Sequence, residues 1–472
     1  MRRRNEALRR DRRVLQAKVL TLQSKLVAQD RYIQELEERL RLNASNSSIA
    51  PSANPIGAGK PIVKRPTGRR RGGQVGHKGT GRKRLPPEQV DEVVEHRPDV
   101  CQHCNGSLAG QPGDIVGRHQ VAELPPRSVV ITEHRSLACR CKACGGVSRG
   151  MIPADVRVSV TGPRLTAAIG LLSAFVHGSR RAIHLVVEQI LGCPIGLGSI
   201  SARERELSDT LAGPYAQLVE QVADARVKYV DETGWKIKGK SEQLFVAATA
   251  DAVVFRVEKA RNRRSLKRLL GGKLKGVFCT DRFGIYDLVP LKRRGLCWAH
   301  LKRDFVRCME RGGESEAIGQ SGVDISRQVF ALWRDFSQGK LKRGQMQARA
   351  GPLRERLQAV LERGVASGIS KTAGLCRGLL KREQAMWNWT RVPGLEPTNN
   401  LAERMLRPAV IWRKKSFGSD SRSGSQFVER VLSVVQTLRL RGHDVLTYLA
   451  SATASRRRSV DAEAMPECQK TD

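Results

Sequence analysis

Residues 226–300 limit the fold of this chain more than any other segment. They contain three consecutive strand-like stretches, then a short helical stretch, then a buried strand and a short strand that runs into a helix. In order, these are VKYVDETGWKIKG, EQLFVAATADA, VVFRVEKA, RRSLKRLLGG, KGVFCTDRFGIYDL and RGLCWAHLKRDF. Short apolar runs bounded by turn residues predict strands, and strands interrupted by a helix predict a mixed α/β sheet.

Two acidic residues lie at the ends of strands in this segment. Three antiparallel strands, a helix and a further strand are the order expected of a ribonuclease H-like fold. Asp231 ends the first strand and Asp281 ends the strand after the helix. These strands are neighbours in such a sheet, so both carboxylates would emerge at one edge. An acid in an apolar strand is costly unless it is paired or bound to metal, although both residues could instead simply start turns.

Glu403 is the third candidate, one turn into a helix that starts near Asn400. Two-metal phosphoryl transfer needs carboxylates that converge although they are far apart in sequence, and oxygen ligands suit Mg²⁺ or Mn²⁺. An alternative stays open, because Asn400-x-x-Glu403 is also a capping-box pattern. The acids that compete for the same role are Glu232, Asp251, Asp287 and Glu429.

The charge balance indicates a polyanionic partner. The formal net charge is +38 at pH 7, and a chain this basic gains free energy by neutralising phosphates, so DNA or RNA is the expected partner. A membrane is the weaker alternative, because no apolar run approaches the length of a spanning helix. The start MRRRNEALRRDRR is not typical of a secretory signal. We therefore expect a cytoplasmic protein that associates with nucleic acid.

The N-terminal region predicts a coiled coil over residues 1–42, through which the chain would form a homo-oligomer. Apolar residues fall at heptad spacing within 6–42 and define an a/d seam. A single amphipathic helix docked on the body is the alternative. The two rows are Leu8, Leu15, Leu22 and Leu36, and Val19, Leu26, Ile33 and Leu40.

Residues 43–88 change character and predict a linker. A Ser/Pro/Gly stretch is followed by a basic, Gly-rich stretch that contains GGQVGHKG. Such a segment could follow DNA phosphates or serve only as a flexible connection.

Two Cys-x₂-Cys pairs predict a zinc-binding module over residues 89–155. The ligands would be Cys101, Cys104, Cys141 and Cys144. Four thiolates suit tetrahedral Zn²⁺, and a site closed by four protein ligands is structural. The alternatives are chance spacing or a redox pair, and Cys139 is an alternative ligand with a poorer spacing.

Residues 156–225 read as a helix, a Gly-rich turn and a second helix, which resembles a helix-turn-helix. Arg203 and Arg205 would lie early in the second helix and contact DNA, although helical hairpins are also common without that role. The catalytic domain would cover 226–440, with an all-α insertion at about 305–390. The tail, 441–472, is polar and expected to be disordered after about residue 455.

At this point the residues resemble a known family, the insertion-sequence-66 transposases. The matching stretches follow one another in order across nearly the whole length: the heptads with their NSS…PS linker, GGQVGHKG, the paired Cys-x₂-Cys, VDET, TDRFGIY, CWAHLKRDF and NNLAERMLRPAVIWRKKSFG. Each stretch alone is weak, and the ordered set is specific. The family has a DDE catalytic triad, and its positions match Asp231, Asp281 and Glu403.

The resemblance implies a metal-dependent transposase acting on double-stranded DNA, both element ends and target. Asp231, Asp281 and Glu403 would bind two Mg²⁺ (or Mn²⁺) ions for phosphodiester hydrolysis and strand transfer. Neighbouring basic residues would hold phosphates rather than read bases. They are Arg282, Arg404, Arg407, Arg413, Lys414 and Lys415. Two rivals stay open: a catalytically inactive, zinc-containing DNA-binding regulator, and a ribonuclease H-like nuclease. Trp298 is expected in the core, and the role of His300 is left open.

Overall fold

The computed structural model describes residues 84–463 without residues 111, 126 and 127, together with five isolated positions between 15 and 29. Apart from those five positions, the predicted coiled coil (1–42), the linker up to residue 83 and the end of the tail (464–472) therefore lie outside the described chain. In the part that is described, no helix is both long enough and apolar enough to cross a membrane.

A five-stranded mixed sheet forms the centre of the fold. Its strands are β3 (Val227–Ile237), β4 (Lys240–Ala248), β5 (Val253–Glu258), β6 (Val277–Thr280) and β7 (Arg294–Leu296). Their spatial order is β5-β4-β3-β6-β7. The first three strands form an antiparallel meander, whereas β6 and β7 run parallel to β3. Helix α6 (Arg263–Leu269) connects β5 to β6, so the order of elements is the one the sequence predicts.

The expectation that the first strand ends at Asp231 is wrong, and β3 instead extends over most of the stretch VKYVDETGWKIKG. Pairing with β4 continues from Asp231↔Val246 to Ile237↔Lys240. Pairing with β6 stops earlier, at Tyr229↔Cys279. Asp231 therefore lies inside a strand, just past the point where its parallel neighbour stops pairing.

Helices precede the sheet in the chain and also follow it. Before it come α1 (Ala154–Arg157), α2 (Pro163–Ala174), α3 (Arg180–Leu185, continued by a π-helical turn), α4 (Leu197–Thr210) and α5 (Ala212–Asp224). After it come α7 (Trp298–Met309), α8 (Gly313–Ser337), α9 (Arg343–Ala366), α10 (Ser370–Leu380), α11 (Glu383–Arg391), α12 (Asn400–Ser416), α13 (Arg422–Leu440) and α14 (Val445–Glu463). Thus the segment predicted as an all-α insertion is helical. In residues 156–225 each of the two predicted helices is divided, the first into α2 and α3 and the second into α4 and α5.

The two faces of the sheet belong to different cores. Tyr229 and Cys279 pack in one core with residues of α7 to α12. Val230 and Phe278 pack in the other, with residues of α6 and α13. Neighbouring residues of a strand point to opposite faces, so the parity of a β3 residue decides which set of helices its side chain meets.

The edge strand β5 is covered by side chains of α13. The amides of Val253, Phe255 and Val257 donate to Thr437 Oγ1, Ser433 Oγ and Glu429 Oε1 at 3.0, 2.8 and 2.9 Å. Unpaired amides on an edge strand invite pairing with another chain, and these three are satisfied within the protein.

The expectation of disorder after residue 455 is wrong as far as residue 463, because α14 continues to Glu463. The reason is a buried arginine that the polar composition conceals. Arg457 Nε donates to Glu206 Oε1 at 2.7 Å, and its Nη1 donates to the Thr161 carbonyl at 2.9 Å. The last helix is thereby fastened to the helical region that precedes the sheet.

Candidate active site

The sheet register brings Asp231 and Asp281 to neighbouring positions. The last residue pair of β3 and β6 is Tyr229↔Cys279, and each aspartate follows two residues later. Residues two apart share a face of the sheet. Tyr229 and Cys279 face the core that contains α12, so Asp231, which is still within β3, lies on the α12 side. Asp281 is one residue beyond the end of β6, and its Oδ2 lies 3.7 Å from Arg261.

Glu403 comes from the first turn of α12, and buried contacts fix the start of this helix. Asn399 is completely buried, and its Nδ2 donates to the Val230 carbonyl at 2.9 Å. Its backbone N–H donates to Cys297 Sγ at 3.2 Å. The residue before Asp231 in β3 and the residue before α7 therefore both hold the helix that carries Glu403.

Glu403 does not cap its own helix, so the capping-box alternative fails. The N-cap is Asn399, and no side chain accepts a hydrogen bond from the free amides there. Glu403 Oε1 is buried without a hydrogen-bond partner among the described residues. The His300 ring lies close to it, with Nδ1 at 3.7 Å.

Asp231 interacts electrostatically with the other two carboxylates. Burial raises the pKa of Asp231 well above its ordinary value, and the carboxylates of Glu232, Glu403 and Asp281 raise it further. Burial also raises the pKa of Glu403, opposed by Arg303. Buried acids that repel one another and leave an oxygen unpartnered suit a divalent cation, which would neutralise them and accept the free lone pairs. The residues present therefore fit a metal ion.

Glu232 is next to Asp231 but faces the other core. Its side chain is 2% exposed, and it forms an ion pair with Arg261. The Tyr286 hydroxyl also donates to it. Of the two adjacent acids, Glu232 has its charge compensated by an arginine, whereas Asp231 accepts a hydrogen bond from the amide of Glu232 itself.

The other competing acids also have structural partners. An acid that already pairs with the protein has less reason to hold a metal. The pairs are Asp251 with the Thr249 hydroxyl, Asp287 with Arg294 and Arg382, and Glu429 with the Val257 amide.

Two arginines hold the Asp281 loop, and the sequence reasoning missed both roles. Arg294 is completely buried and donates to the Asp281 carbonyl at 2.9 Å and to Asp287 Oδ1 at 2.6 Å. Arg261 lies 3.7 Å from Asp281 Oδ2 and stacks on the Phe283 ring. The sequence feature that could have indicated the buried position of Arg294 is its place directly before the apolar run GLC.

Among the described residues, one group of three side chains could hold a metal ion by the distances between its ligand atoms. It consists of Cys297, His300 and Glu403, whose ligand atoms lie within 4.8 Å of one another. Burial raises the pKa of Cys297 to about 12, so its thiol stays protonated. Burial, helped by Arg303, lowers the pKa of His300 to about 4, so its imidazole is neutral at pH 7. Trp298 is completely buried, as predicted.

The predicted DNA-contacting residues differ in exposure. Arg203 turns inward and pairs with Glu206 at 2.9 Å, its side chain 14% exposed. Arg413 donates to Thr233 Oγ1 and the Gly234 carbonyl, and Arg282 pairs with Asp304. The exposed members are Arg205, Arg282, Arg404, Arg407, Lys414 and Lys415. Arg404 and Arg407 also line a cavity of about 500 Å³ with Phe175, His177 and Arg439.

Each Cys-x₂-Cys pair forms a tight turn of the same kind. Cys101 N–H donates to the Gly106 carbonyl at 2.8 Å, and Cys141 N–H donates to the Gly146 carbonyl at 2.7 Å. Hydrogen bonds from backbone amides lower the pKa of the Cys101 and Cys141 thiols. The largest effect comes from the His103 amide for Cys101 and from the Cys144 amide for Cys141. The second turn is flanked by the paired strands β1 (Ala138–Arg140) and β2 (Val147–Arg149).

Comparison with known proteins places the sheet and most of the helices around it in one family. The family model described as "Transposase IS66 family" matches residues 159–427, and a family of unknown function, DUF6444, matches residues 2–83. Two relatives from Sinorhizobium fredii are described as uncharacterized. Protein y4qI is 25% identical over 460 residues, covering 88% of this chain and 81% of its own length. Protein y4hP is 21% identical over 407 residues, covering 78% and 73%.

Proposed function

The chain belongs to the IS66 transposase family, and on that premise we propose that it cleaves the ends of its element and joins them to target DNA. The observation that carries the proposal is that Asp231 and Asp281 each follow a paired residue of two neighbouring strands, while Glu403 lies in the helix that Asn399 holds against β3. The negative charges of Asp281 and Glu403 both raise the pKa of Asp231. All three lie within the matched residues 159–427.

We assign the core to the ribonuclease H-like class. The strand order β5-β4-β3-β6-β7, with an antiparallel meander followed by parallel strands, is the arrangement expected of that class. It supports the proposal because it puts the first and fourth strands of the core side by side, and these strands carry the two aspartates. The all-α segment from α8 to α11 is an insertion between the fifth strand and the helix of Glu403.

The reaction is a phosphodiester hydrolysis at the element end, followed by attack of the freed 3′-hydroxyl on target DNA. Mg²⁺ or Mn²⁺ held by Asp231, Asp281 and Glu403 would activate the attacking oxygen and stabilise the leaving oxygen. The chain's own contribution is placement. Asn399 fixes the Glu403 helix against β3, and Arg294 fixes the Asp281 backbone.

Strand transfer with purified protein, Mg²⁺ and DNA carrying the element's own ends tests the proposal. We expect joined products that depend on the ends, on the metal and on all three acids. Binding of the ends without joining, unchanged in Asp231→Asn, would indicate a DNA-binding regulator. Cleavage that ignores the ends and yields no joined product would indicate a nuclease.

We assign DNA-backbone contacts to the exposed basic residues near Glu403. Replacing both Arg404 and Arg407 with glutamine is expected to weaken binding and to make its salt dependence less steep, by about one unit of log–log slope for each phosphate that is no longer neutralised. Fluorescence anisotropy over a salt series measures this slope. The matched control is Arg349→Gln, an exposed arginine of α9, which should leave the slope unchanged. An unchanged slope in the double variant would contradict the assignment.

We assign a structural Zn²⁺ ion to Cys101, Cys104, Cys141 and Cys144. The support is that each pair forms a tight turn whose amides favour the thiolate form. Metal analysis of the purified chain should find about one Zn²⁺ per chain, and Cys141→Ser should lose it. Cys193→Ser is the matched control, since that half-buried thiol lies outside both turns. Zinc retained in Cys141→Ser would reject the assignment.

A further inference from the structure

Two buried polar atoms near Asp231 lie close together but do not form a hydrogen bond with each other. Glu403 Oε1 and His300 Nδ1 are 3.7 Å apart. Both are buried, and neither has a hydrogen-bond partner among the described residues. An N–H···O hydrogen bond joins atoms at about 2.7–3.2 Å, so this pair is too far apart for one. Buried polar atoms are rarely left unpaired, because each costs about 1–3 kcal/mol.

The separation matches two ligands of one ion. Ligand nitrogen and oxygen atoms lie about 2.1 Å from a divalent metal, so two ligands of one ion lie at most about 4.2 Å apart. A separation of 3.7 Å is within that limit, and an ion there would satisfy both unpaired atoms. Both lone pairs would then point at the same cation.

The two side chains are held in this arrangement by their backbones. His300 is in the first turn of α7, and Glu403 is in the first turn of α12. The starts of the two helices are joined directly: Trp298 N–H donates to the Pro397 carbonyl at 2.8 Å, and Asn399 N–H donates to Cys297 Sγ at 3.2 Å. The imidazole and the carboxylate are therefore positioned before any ligand arrives.

We propose that His300 is a further metal ligand of this site and, with Glu403, makes it prefer Mn²⁺ to Mg²⁺. The inference rests on the proposed function and deepens it, since it concerns the ion that the Glu403 carboxylate would hold. Mg²⁺ strongly prefers oxygen ligands, whereas a transition-metal ion accepts imidazole nitrogen readily. A site made only of carboxylates would discriminate less between the two ions.

Cys297 is the third member of the group, and we assign it a positioning role. Its sulfur is completely buried and already accepts the Asn399 amide. That hydrogen bond holds the start of α12 against the start of α7. A thiolate ligand would favour softer metals such as Zn²⁺, whereas imidazole with carboxylates suits Mn²⁺.

Pulsed electron paramagnetic resonance of Mn²⁺ bound to the full chain, without a histidine tag, tests the proposal. The expected spectrum contains the nitrogen coupling of a coordinated imidazole, and labelling histidine with ¹⁵N changes it. His300→Asn should lose the coupling and bind Mn²⁺ about tenfold or more weakly, with a smaller loss for Mg²⁺. His443→Asn is the matched control, an exposed histidine in the turn after α13, and should keep both.

The outcomes separate this inference from the function on which it rests. Mn²⁺ binding that requires Asp231 but shows no histidine nitrogen in the wild-type protein overturns the inference and leaves the acidic metal site intact. Coupling that survives in His300→Asn overturns it as well. Mn²⁺ binding that is unaffected by Asp231→Asn and Glu403→Gln would instead overturn the metal site itself. The isotope experiment uses wild-type protein, so it does not depend on how well a variant folds.

Discussion

Replacing Asp231 with asparagine is expected to stop strand transfer and, at the same time, to stabilise the metal-free protein. Losing a carboxylate that holds the metal should lower the rate by about 10³-fold or more, equivalent to about 4 kcal/mol of transition-state stabilisation. The gain in stability has a separate cause. Burial, together with Glu232, Glu403 and Asp281, raises the pKa of Asp231, so its ionised form opposes folding.

The sign of the pH dependence follows from that raised pKa. A carboxylate whose pKa is higher in the folded protein than in the unfolded chain destabilises the fold at pH values above the folded pKa. The cost disappears as the pH falls toward the ordinary aspartate value. The stability advantage of Asp231→Asn should therefore be largest at pH 8 and shrink at pH 5, measured by urea unfolding without metal.

Metal should reverse the ranking of the two proteins. Mg²⁺ or Mn²⁺ binds the folded state and so raises the melting temperature of the wild-type protein, with little effect on Asp231→Asn. Asp251→Asn is the matched control, since Asp251 is exposed and accepts a hydrogen bond from Thr249. It should keep strand transfer and the metal response. A destabilised Asp231→Asn protein with normal strand transfer would contradict the proposed role.

Replacing Arg294 with methionine is expected to lower the free energy of unfolding by about 3 kcal/mol, because it leaves the Thr280 hydroxyl and the Asp281 carbonyl without their donor, at about 1–3 kcal/mol for each buried group left unpaired. Arg294 is completely buried and holds the Asp281 carbonyl, the Thr280 hydroxyl and the Asp287 carboxylate. The loss should extend to metal affinity, since the backbone of one metal-holding residue is no longer fixed.

Urea unfolding and Mn²⁺ titration measure the two effects of Arg294→Met. Arg382→Met is the matched control, because Arg382 pairs with the same Asp287 at 2.6 Å but is partly exposed. It leaves Arg294 in place and should cost about 1 kcal/mol or less. If both variants lost the same free energy of unfolding, the burial of Arg294 would not be the cause of its larger contribution to stability.

The sequence predicted the order of the core elements well because short apolar strands and the helix between them are local signals. It also predicted that Asp231 and Asp281 lie on neighbouring strands. It failed on the position of Asp231 within β3, because residues 232–237 are polar or mixed and only their pairing with β4 shows that the strand continues past Asp231.

Glu403 shows where local patterns stop being informative. Asn400-x-x-Glu403 fits a helix cap as well as a metal ligand. The three-dimensional structure speaks against the cap, because the buried side chain of Asn399 donates to β3 and the helix begins without a side-chain cap. The inward position of Arg457 was equally invisible, since it depends on an acid that is distant in the sequence.

The central claim is that the three acids act as one metal-holding unit, and a mutational cycle in the strand-transfer assay tests it most directly. Residues that act together in one site are strongly non-additive. We predict that Asp231→Asn, Asp281→Asn and Glu403→Gln each lower the rate by about 10³-fold or more, and that the triple variant is no slower than the single ones. A single variant with near wild-type strand transfer, or losses that multiply in the triple variant, would contradict the account.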